Sequence, residues 1–386
     1  MFKCTPFASG FRIGYIGGGQ LARMSALQAF RFGMEVAVYA ASPDEPLCAM
    51  TPHVTIGAPD DDAALTAFAA SCDVVTLENE VLDSSLLLRV RDASGTPMFP
   101  SPESFSMIED KIVEKRTFAQ AGIPVADWRE VRTEADLQAF GDEFGWPYIL
   151  KSAKGGYDGY GNATARDMES ALAGFKKLGG DSGRAILAEA MVPFTKELAV
   201  MVARNLHGTV VYPCTETIQE NHICKDVLVP APIPEALRVQ AQELAVAAME
   251  AIDATGIFGF EFFLTHDHRI LLNESAPRPH NSGHYSIEAC VASQFENHVR
   301  AICQLPLGST QMRRPAAVMV NTLGTHNRPT QVEGLAPVLA TPDAHFHLYG
   351  KKASKIGRKM GHLTVLGDDL DTLLTHAHTL AQSIRI

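Results

Sequence analysis

The sequence predicts an α/β protein that begins with a parallel sheet, and three observations carry that prediction. Over the first hundred residues short β-rich runs alternate with helical patterns, the order that parallel strands and their crossover helices impose. A triple glycine, Gly17-Gly18-Gly19, stands where the first run meets the first helical pattern, a corner at which chain free of Cβ atoms is favoured. The chain has 386 residues, 46% hydrophobic and 20% charged, a globular mix that excludes extended disorder and a fibrous repeat. At roughly 150 residues per domain, this length implies two or three domains.

Arg12 to Ile16 reads as the first strand, Gln20 to Phe32 as a helix with Gly33 at its C-cap, and Val36 to Ala40 as the second strand. Asp62 to Ala70 is the next helix and Val74 to Leu77 the next strand. Phe99-Pro100-Ser101-Pro102 then punctuates the chain, so residues 1–103 form a Rossmann-like unit. A second unit, residues 104–305, opens on a charged helix from Glu103 to Ala121, stopped by Gly122-Ile123-Pro124. Strands follow at Tyr148 to Lys151, Ile186 to Glu189 and Glu197 to Arg204, then a helix from Pro232 to about Thr255. The apolar runs Ile257 to Leu264 and Ile270 to Glu274, separated by His266-Asp267-His268-Arg269, predict a hairpin in which Thr265 faces Ile270. Past Pro306, short strands and turns lead to a last helix, Leu370 to Ile384, and residues 306–386 form a small C-terminal unit.

Charge and cysteine usage exclude whole classes. With 33 Lys and Arg against 44 Asp and Glu the net charge is −11, which speaks against a nucleic-acid partner. No run approaches the roughly 18 apolar residues of a membrane helix, and Met1 to Gly10 lacks a signal-peptide core. A cytoplasmic protein without a membrane partner is expected. Seven scattered cysteines with no Cys-x-x-Cys pair signal neither a disulfide framework nor a zinc knuckle.

Six stretches carry chemistry. Gly17-x-Gly19-x-x-Ala22 fits the Ala-ended dinucleotide fingerprint, yet the second strand ends in Ala40-Ala41 rather than in the acid that would hold a ribose. Nicotinamide binding, anion binding at the helix N-terminus and a ligand-free turn all remain open. Leu77-Glu78-Asn79-Glu80 ends a strand at the edge where such sheets bind ligands; either glutamate is a ligand acceptor or a helix-start carboxylate. Lys151 through Gly161 delivers a lysine into a glycine-rich loop that is not a Walker A motif, and its open backbone suits phosphate or is a plain turn. In the hairpin Glu261 faces Glu274, a repulsive pair unless the two share a hard cation such as Mg²⁺; independent surface carboxylates are the other reading. Arg278-Pro279-His280-Asn281-Ser282-Gly283-His284 gathers donors for a small planar anion, while Pro279 and Gly283 make a zinc helix on His280 and His284 unfavourable. The basic run Lys351, Lys352, Lys355, Arg358 and Lys359 is either a solvated face or a phosphate site.

Taken in order, these residues resemble the ATP-grasp carboxylate-amine ligases, and among them the N5-carboxyaminoimidazole ribonucleotide synthetase family of purine biosynthesis. The resemblance runs over nearly the whole chain from about Arg12. It is most specific at Gly18 to Met24, at Lys154 to Gly159, at Asn273 to His284 and at Gly357 to His362. It implies the ATP-grasp fold, and a reaction in which bicarbonate and ATP give carboxyphosphate, whose carboxyl group passes to the amine of aminoimidazole ribonucleotide. It also implies a homodimer.

By the same resemblance Lys111 and Lys151 hold phosphates, and the loop with Gly155, Gly156, Tyr157, Asp158 and Gly159 covers the nucleotide as a lid. Glu189, Ala190 and Val192 meet adenine, Glu197 the ribose, and Asn273 lies in the nucleotide site. Glu261 and Glu274 hold Mg²⁺. Arg278, His280 and Asn281 form the bicarbonate pocket, and Gln20, Leu21, Glu78, Tyr157, Lys351 and Arg358 surround the ribonucleotide, which favours the anion reading of the Gly17 turn. Phosphoryl transfer asks mainly for positioning and charge neutralisation, and these residue types supply both. Two departures stand out: the first ten residues look like an extension, and Glu220 to Val227 replaces an expected glycine-containing loop. Competing readings are a formate-dependent glycinamide ribonucleotide transformylase, a nicotinamide-dependent oxidoreductase and a catalytically silent nucleotide-binding module.

Overall fold

A computed structural model describes residues 2–80, 82–155, 161–220 and 223–386. The first segment runs β1 (Arg12–Ile16), α1 (Gln20–Arg31), β2 (Glu35–Ala40), β3 (His53–Ile56), α2 (Asp62–Ala70), β4 (Val74–Leu77), α3 (Ser84–Ser94) and β5 (Met98–Phe99). Its five strands are all parallel, in the order β3-β2-β1-β4-β5. Apolar clusters cover both faces of the sheet: Ile13, Tyr15 and Val38 belong to one, Ala37, Val75 and Leu77 to the other. Burial on both faces is why these strands read as nearly unbroken apolar runs. Strand order reverses between β1 and β4, where Ile16 pairs with Leu77, so the chain leaves both strands at one crevice, through Gly17 and Glu78.

The middle segment builds a small antiparallel sheet first. It contains α4 (Pro102–Ser106), α5 (Lys111–Gln120), β6 (Trp128–Val131), α6 (Glu134–Phe144), β7 (Tyr148–Ser152), β8 (Asn162–Ala165), α7 (Met168–Lys177) and β9 (Ile186–Ala190), with strand order β6-β9-β7-β8. Phe140, Tyr148, Leu150 and Phe175 fill the space between this sheet and α6 and α7. The single helix expected over Glu103 to Ala121 is broken in two. Asp110 accepts hydrogen bonds from the N–H groups of Ile112 and Val113 and so starts a new helix, an N-cap that outcompetes helix continuation. The break places Lys111 at the first turn of α5, where its N–H donates to the Ala153 carbonyl at 2.8 Å.

A large sheet follows, from β10 (Phe194–Asn205), β11 (Gly208–Val211), β12 (Thr215–Glu220), β13 (Ile223–Val229), α8 (Glu235–Ala251), β14 (Gly256–Thr265), β15 (Ile270–Ala276), α9 (Ser286–Ala289) and α10 (Gln294–Ile302). The helix expected over Pro232 to Thr255 is shorter, because Pro234 caps α8 and the chain turns at Asp253 with φ +44°. The last segment holds β16 (Ala316–Leu323), β17 (Arg328–Pro329), α11 (Ala336–Leu339), β18 (Ala344–Leu348), β19 (Ala353–Ser354), β20 (Lys359–Gly367) and α12 (Leu370–Ser383). Its strands do not stand apart: the sheet runs β15-β14-β10-β12-β13-β16-β20-β18, joined where β13 pairs with β16. β17 and β19 make a separate two-stranded sheet. Phe258, Phe260, Ala241 and Ala245 pack α8 against one part of the large sheet, and Val318, Leu363 and Leu373 pack α12 against another.

The β14–β15 hairpin departs from the expected register and then returns to it. The Thr265 hydroxyl accepts from the Arg269 N–H and the Thr265 N–H donates to the Arg269 carbonyl, so Thr265 closes the turn against Arg269 and Leu264, not Thr265, faces Ile270. A β-bulge at Asn273 then adds one residue to β15, and Glu261 faces Glu274 after all.

Candidate active site

Glu261 and Glu274 lie opposite each other in the hairpin, and Glu261 also faces Ala199 of β10. Glu197, two residues from Ala199, projects from the same side of the sheet. Three carboxylates therefore share one face. Burial holds the Glu261 carboxyl well above its usual range, and the charges of Glu274 and Glu197 push the same way. Glu274 is held low instead, chiefly by the Lys111 ammonium, whose Nζ donates to Glu274 Oε2 at 3.0 Å. The bulge residue Asn273 buries an amide oxygen that has no partner. Two facing carboxylates and an orphaned oxygen fit a hard cation that completes its shell with water and phosphate. Among the described residues no group of three His, Cys, Asp or Glu side chains could hold a metal by itself.

A lysine cluster lies beyond. Lys151 Nζ donates to Glu189 Oε2 at 2.9 Å, and Lys115, one turn after Lys111, reaches Glu189 Oε1 at 3.4 Å and the Leu272 carbonyl at 3.2 Å. Lys115 is 2% exposed and Glu189 3%, so both oxygens of the Glu189 carboxylate face lysines in the interior. Sequence reasoning missed Lys115, although its spacing of four from Lys111 on one helix face was a signal. The Ala190 N–H donates to the Asp127 carbonyl at 2.8 Å, and the Phe194 N–H to that of Val192 at 2.9 Å, which folds the segment after β9 into a tight connection. Gly155 has φ +78°, a conformation that favours glycine. Gly156, Tyr157, Asp158 and Gly159 lie outside the described residues.

On the other side of the carboxylate pair stands the Arg278 turn. Arg278 Nη2 meets Glu80 Oε1 at 2.6 Å, and its buried Nε–H has no partner. His280 Nε2 is 3.6 Å from Glu261 Oε1, its Nδ1 is 2.9 Å from Ser282 Oγ, and its N–H donates to Gln294 Oε1 at 2.9 Å. Burial, with the charges of Arg278 and Lys359, brings the His280 imidazolium down to about 3, so the ring is neutral near pH 7. Asn281 exchanges amide hydrogen bonds with Asn321. His284 packs against Phe295 and bonds Gln294, a core role rather than a zinc pair with His280.

At the Gly17 turn the chain's own groups take several of the amides that the anion reading offers to a ligand. The Gly17 N–H donates to the Tyr39 carbonyl, the Gly18 N–H to Glu45 Oε2 at 2.6 Å, and the Leu21 N–H to Glu78 Oε1 at 3.3 Å. Two carboxylates of the chain itself occupy the positive end of α1, which has no side-chain cap of its own. Those N–H groups are spent, which also counts against a dinucleotide pyrophosphate. Glu45 folds back here, and its Oε1 also takes the N–H groups of Ala41 and Ser42. Burial pushes the Glu78 carboxyl up to about 7, against the pull of Arg278 and the Leu21 N–H.

The basic run reaches this crevice from the far end of the chain. Leu21 and Tyr349 share one apolar cluster, Lys352 Nζ lies 2.5 Å from Asp44 Oδ1, and Lys351 Nζ donates to the Lys359 carbonyl at 2.7 Å. Arg358 Nη1 donates to the Ala353 carbonyl at 3.1 Å. Gln20 and Leu21 thus lie at the start of a helix against which Tyr349, in the segment that leads from β18 to Lys351, packs. Ion pairs join Lys115 and Lys151 to Glu189 and Lys111 to Glu274, Glu274 faces Glu261, and Glu261 lies beside His280, while Arg278 pairs with Glu80.

Three family models match the chain in succession: a ribonucleotide synthetase preATP-grasp domain over residues 11–109, an ATP-grasp domain over 116–295, and a phosphoribosylaminoimidazole carboxylase C-terminal domain over 317–376. The N5-carboxyaminoimidazole ribonucleotide synthase of Synechococcus elongatus is 38% identical over 92% of this chain and 89% of its own length. The phosphoribosylaminoimidazole carboxylase of Ogataea methanolica is 40% identical over 93% of this chain and 67% of its own. That of Schizosaccharomyces pombe is covered over 65%, so the chain spans about two thirds of such fungal relatives. Among solved structures, the Aspergillus clavatus N5-carboxyaminoimidazole synthase in complex with ADP and 5-aminoimidazole ribonucleotide superposes with a TM-score of 0.88, at 36% identity, covering 97% of this chain and 98% of that one. The Thermotoga maritima N5-carboxyaminoimidazole ribonucleotide synthetase gives 0.86 at 37% identity, with coverage of 97% and 98%.

Proposed function

Because the chain belongs to the N5-carboxyaminoimidazole ribonucleotide synthase family, we propose that it carboxylates 5-aminoimidazole ribonucleotide with bicarbonate and ATP, as an ATP-dependent carbon–nitrogen ligase. The observation that carries the reading is the facing pair Glu261 and Glu274, with Lys111 on one side and Arg278 and His280 on the other. A bicarbonate oxygen attacks the γ-phosphorus of ATP and the bond to ADP breaks, giving carboxyphosphate. The amine of the ribonucleotide attacks its carboxyl carbon, phosphate leaves, and the nitrogen releases a proton. No protein nucleophile is needed.

In this reading Lys111 and Lys151 meet the phosphates, Glu189, Ala190 and Val192 border adenine, Glu197 takes the ribose, and Asn273 sits at the nucleotide. Glu261 and Glu274 would hold Mg²⁺, which when bound neutralises charge on the phosphates and leaving group. Arg278 offers its unpartnered Nε–H to an oxyanion, a charge-assisted donor in a water-poor site. The neutral His280 ring adds no further positive charge. The loop at Gly155 would close over the nucleotide and keep carboxyphosphate from water. Gln20, Leu21, Glu78, Tyr157, Lys351 and Arg358 are assigned to the ribonucleotide, its phosphate going to the basic residues rather than to the occupied Gly17 turn.

A cytoplasmic homodimer completes the proposal; no helix among the described residues is long and apolar enough to cross a membrane. Sedimentation at twice 41.7 kDa checks the dimer. The reaction is tested by phosphate release from MgATP with bicarbonate, with and without aminoimidazole ribonucleotide, and with formate plus glycinamide ribonucleotide as control. Release that requires aminoimidazole ribonucleotide and bicarbonate and yields ADP supports the reading. Release supported only by formate and glycinamide ribonucleotide overturns it.

A further inference from the structure

Asn281 is held by a residue that no motif announces. Asn321, on β16, is 6% exposed; Asn281 Nδ2 donates to its Oδ1 at 2.9 Å, and Asn321 Nδ2 donates back to Asn281 Oδ1 at 2.6 Å. Two amides paired in this way keep both hydrogen bonds if both are turned over, so the pair alone does not fix which end of Asn281 is nitrogen. A third contact breaks the tie. Asn321 Nδ2 also donates to the Cys224 carbonyl at 2.9 Å, and a carbonyl accepts from an N–H but not from an oxygen. Cys224 thereby sets the orientation of Asn321, and Asn321 sets that of Asn281. Both N–H groups of Asn321 are then spent, whereas Asn281 keeps one N–H and one acceptor lone pair for a ligand.

Cys224 belongs to the segment Glu220 to Val227, which departs from the expected family pattern and has no role in the chemistry above. Glu220, Ile223 and Lys225 of that segment line a cavity of about 500 Å³ together with Asn321, Gly357 and His378. The segment therefore meets the Arg278 turn through one buried amide.

We propose that Asn321 is a positioning residue that sets which end of the Asn281 amide the carboxyphosphate pocket presents, its own orientation being dictated by the Cys224 carbonyl. This rests on the function proposed above. The test compares wild type, Asn281→Ala, Asn321→Leu, the nearly isosteric Asn321→Asp, and the Asn281→Ala/Asn321→Leu double variant in the phosphate-release assay, with ADP binding measured on each. Both Asn321 variants are expected to lose roughly 10- to 100-fold in kcat/KM for bicarbonate, while KM for ATP and ADP affinity stay within about twofold. The double variant should be no worse than Asn281→Ala alone, because residues that act through one another are not additive. Losses that multiply in the double variant, or a KM for ATP that rises in parallel, overturn the inference. If Asn321→Leu fails to fold, Asn321→Asp with intact ADP binding decides. A wild type that ignores bicarbonate sinks the functional reading first, and this inference with it.

Discussion

Glu78 shows how one side chain carries both a structural cost and a proposed ligand role. Its carboxyl titrates near 7 in the folded protein, mainly because it is buried, and near 4.5 in the unfolded chain. Between those values the folded state keeps a proton that the unfolded chain has released, so this group's contribution favours folding at low pH and is lost as pH rises from 4.5 towards 7. Glu78→Gln should therefore raise the melting temperature relative to wild type by more at about pH 8 than at about pH 5; a pH-independent difference in thermal scans would refute the burial account. A division of labour is expected further along the site. Glu274→Ala should abolish ATP cleavage, whereas Arg358→Ala should weaken ribonucleotide use by roughly tenfold or more and leave nucleotide affinity near wild type; calorimetric ATP titrations on both variants check it, and equal loss of ATP binding would contradict it. Legibility at this scale followed chemistry. Residues inside dense motifs, Arg278 and His280 above all, stood out as candidates, while Glu45 and Asn321 depend on contacts with remote segments that leave no local pattern, and Lys115 was marked only by its spacing from Lys111.

At the scale of elements, periodicity located the central parallel strands β1, β2 and β4, because burial on both faces leaves little else such runs can be, and it missed the edge strands β3, which is partly exposed, and β5, which is two residues long. Boundaries set by individual side chains were less legible. The break between α4 and α5 depends on the Asp110 carboxylate, and the hairpin turn on the Thr265 hydroxyl. The facing of Glu261 and Glu274 was anticipated through a turn one residue out of register, and it holds only because the Asn273 bulge supplies the missing residue. α5 illustrates how an element joins parts: Lys115 ties Glu189 of the small sheet to the Leu272 carbonyl of the large one. Replacing it by Met leaves Glu189 with one lysine in a buried setting, where breaking an ion pair costs about 3 kcal/mol. Lys115→Met is expected to lower stability by about that amount in urea and to raise KM for ATP more than it lowers kcat; an unchanged KM would leave Lys115 a purely structural residue.

Across the whole molecule, the site is assembled from parts that are remote in sequence. Lys111 meets Glu274 across 163 positions and Lys352 meets Asp44 across 308, and no local periodicity announces such pairs. The large sheet adds a second dependence, since the edge of β13 turned away from β12 is paired along Asp226 to Val229 by β16. A chain ending at Leu305 should therefore present a bare apolar strand edge and partition into the pellet on expression; a soluble, monodisperse product of that length would show the middle segment to be self-sufficient. The same pairing acts in time. During synthesis β13 leaves the ribosome well before β16, and at roughly 5–20 residues per second the interval is several seconds. For that interval the growing chain carries an unfinished sheet, so translation speed between Val229 and Ala316, and any chaperone able to shield a strand edge, should govern how much active protein a cell recovers.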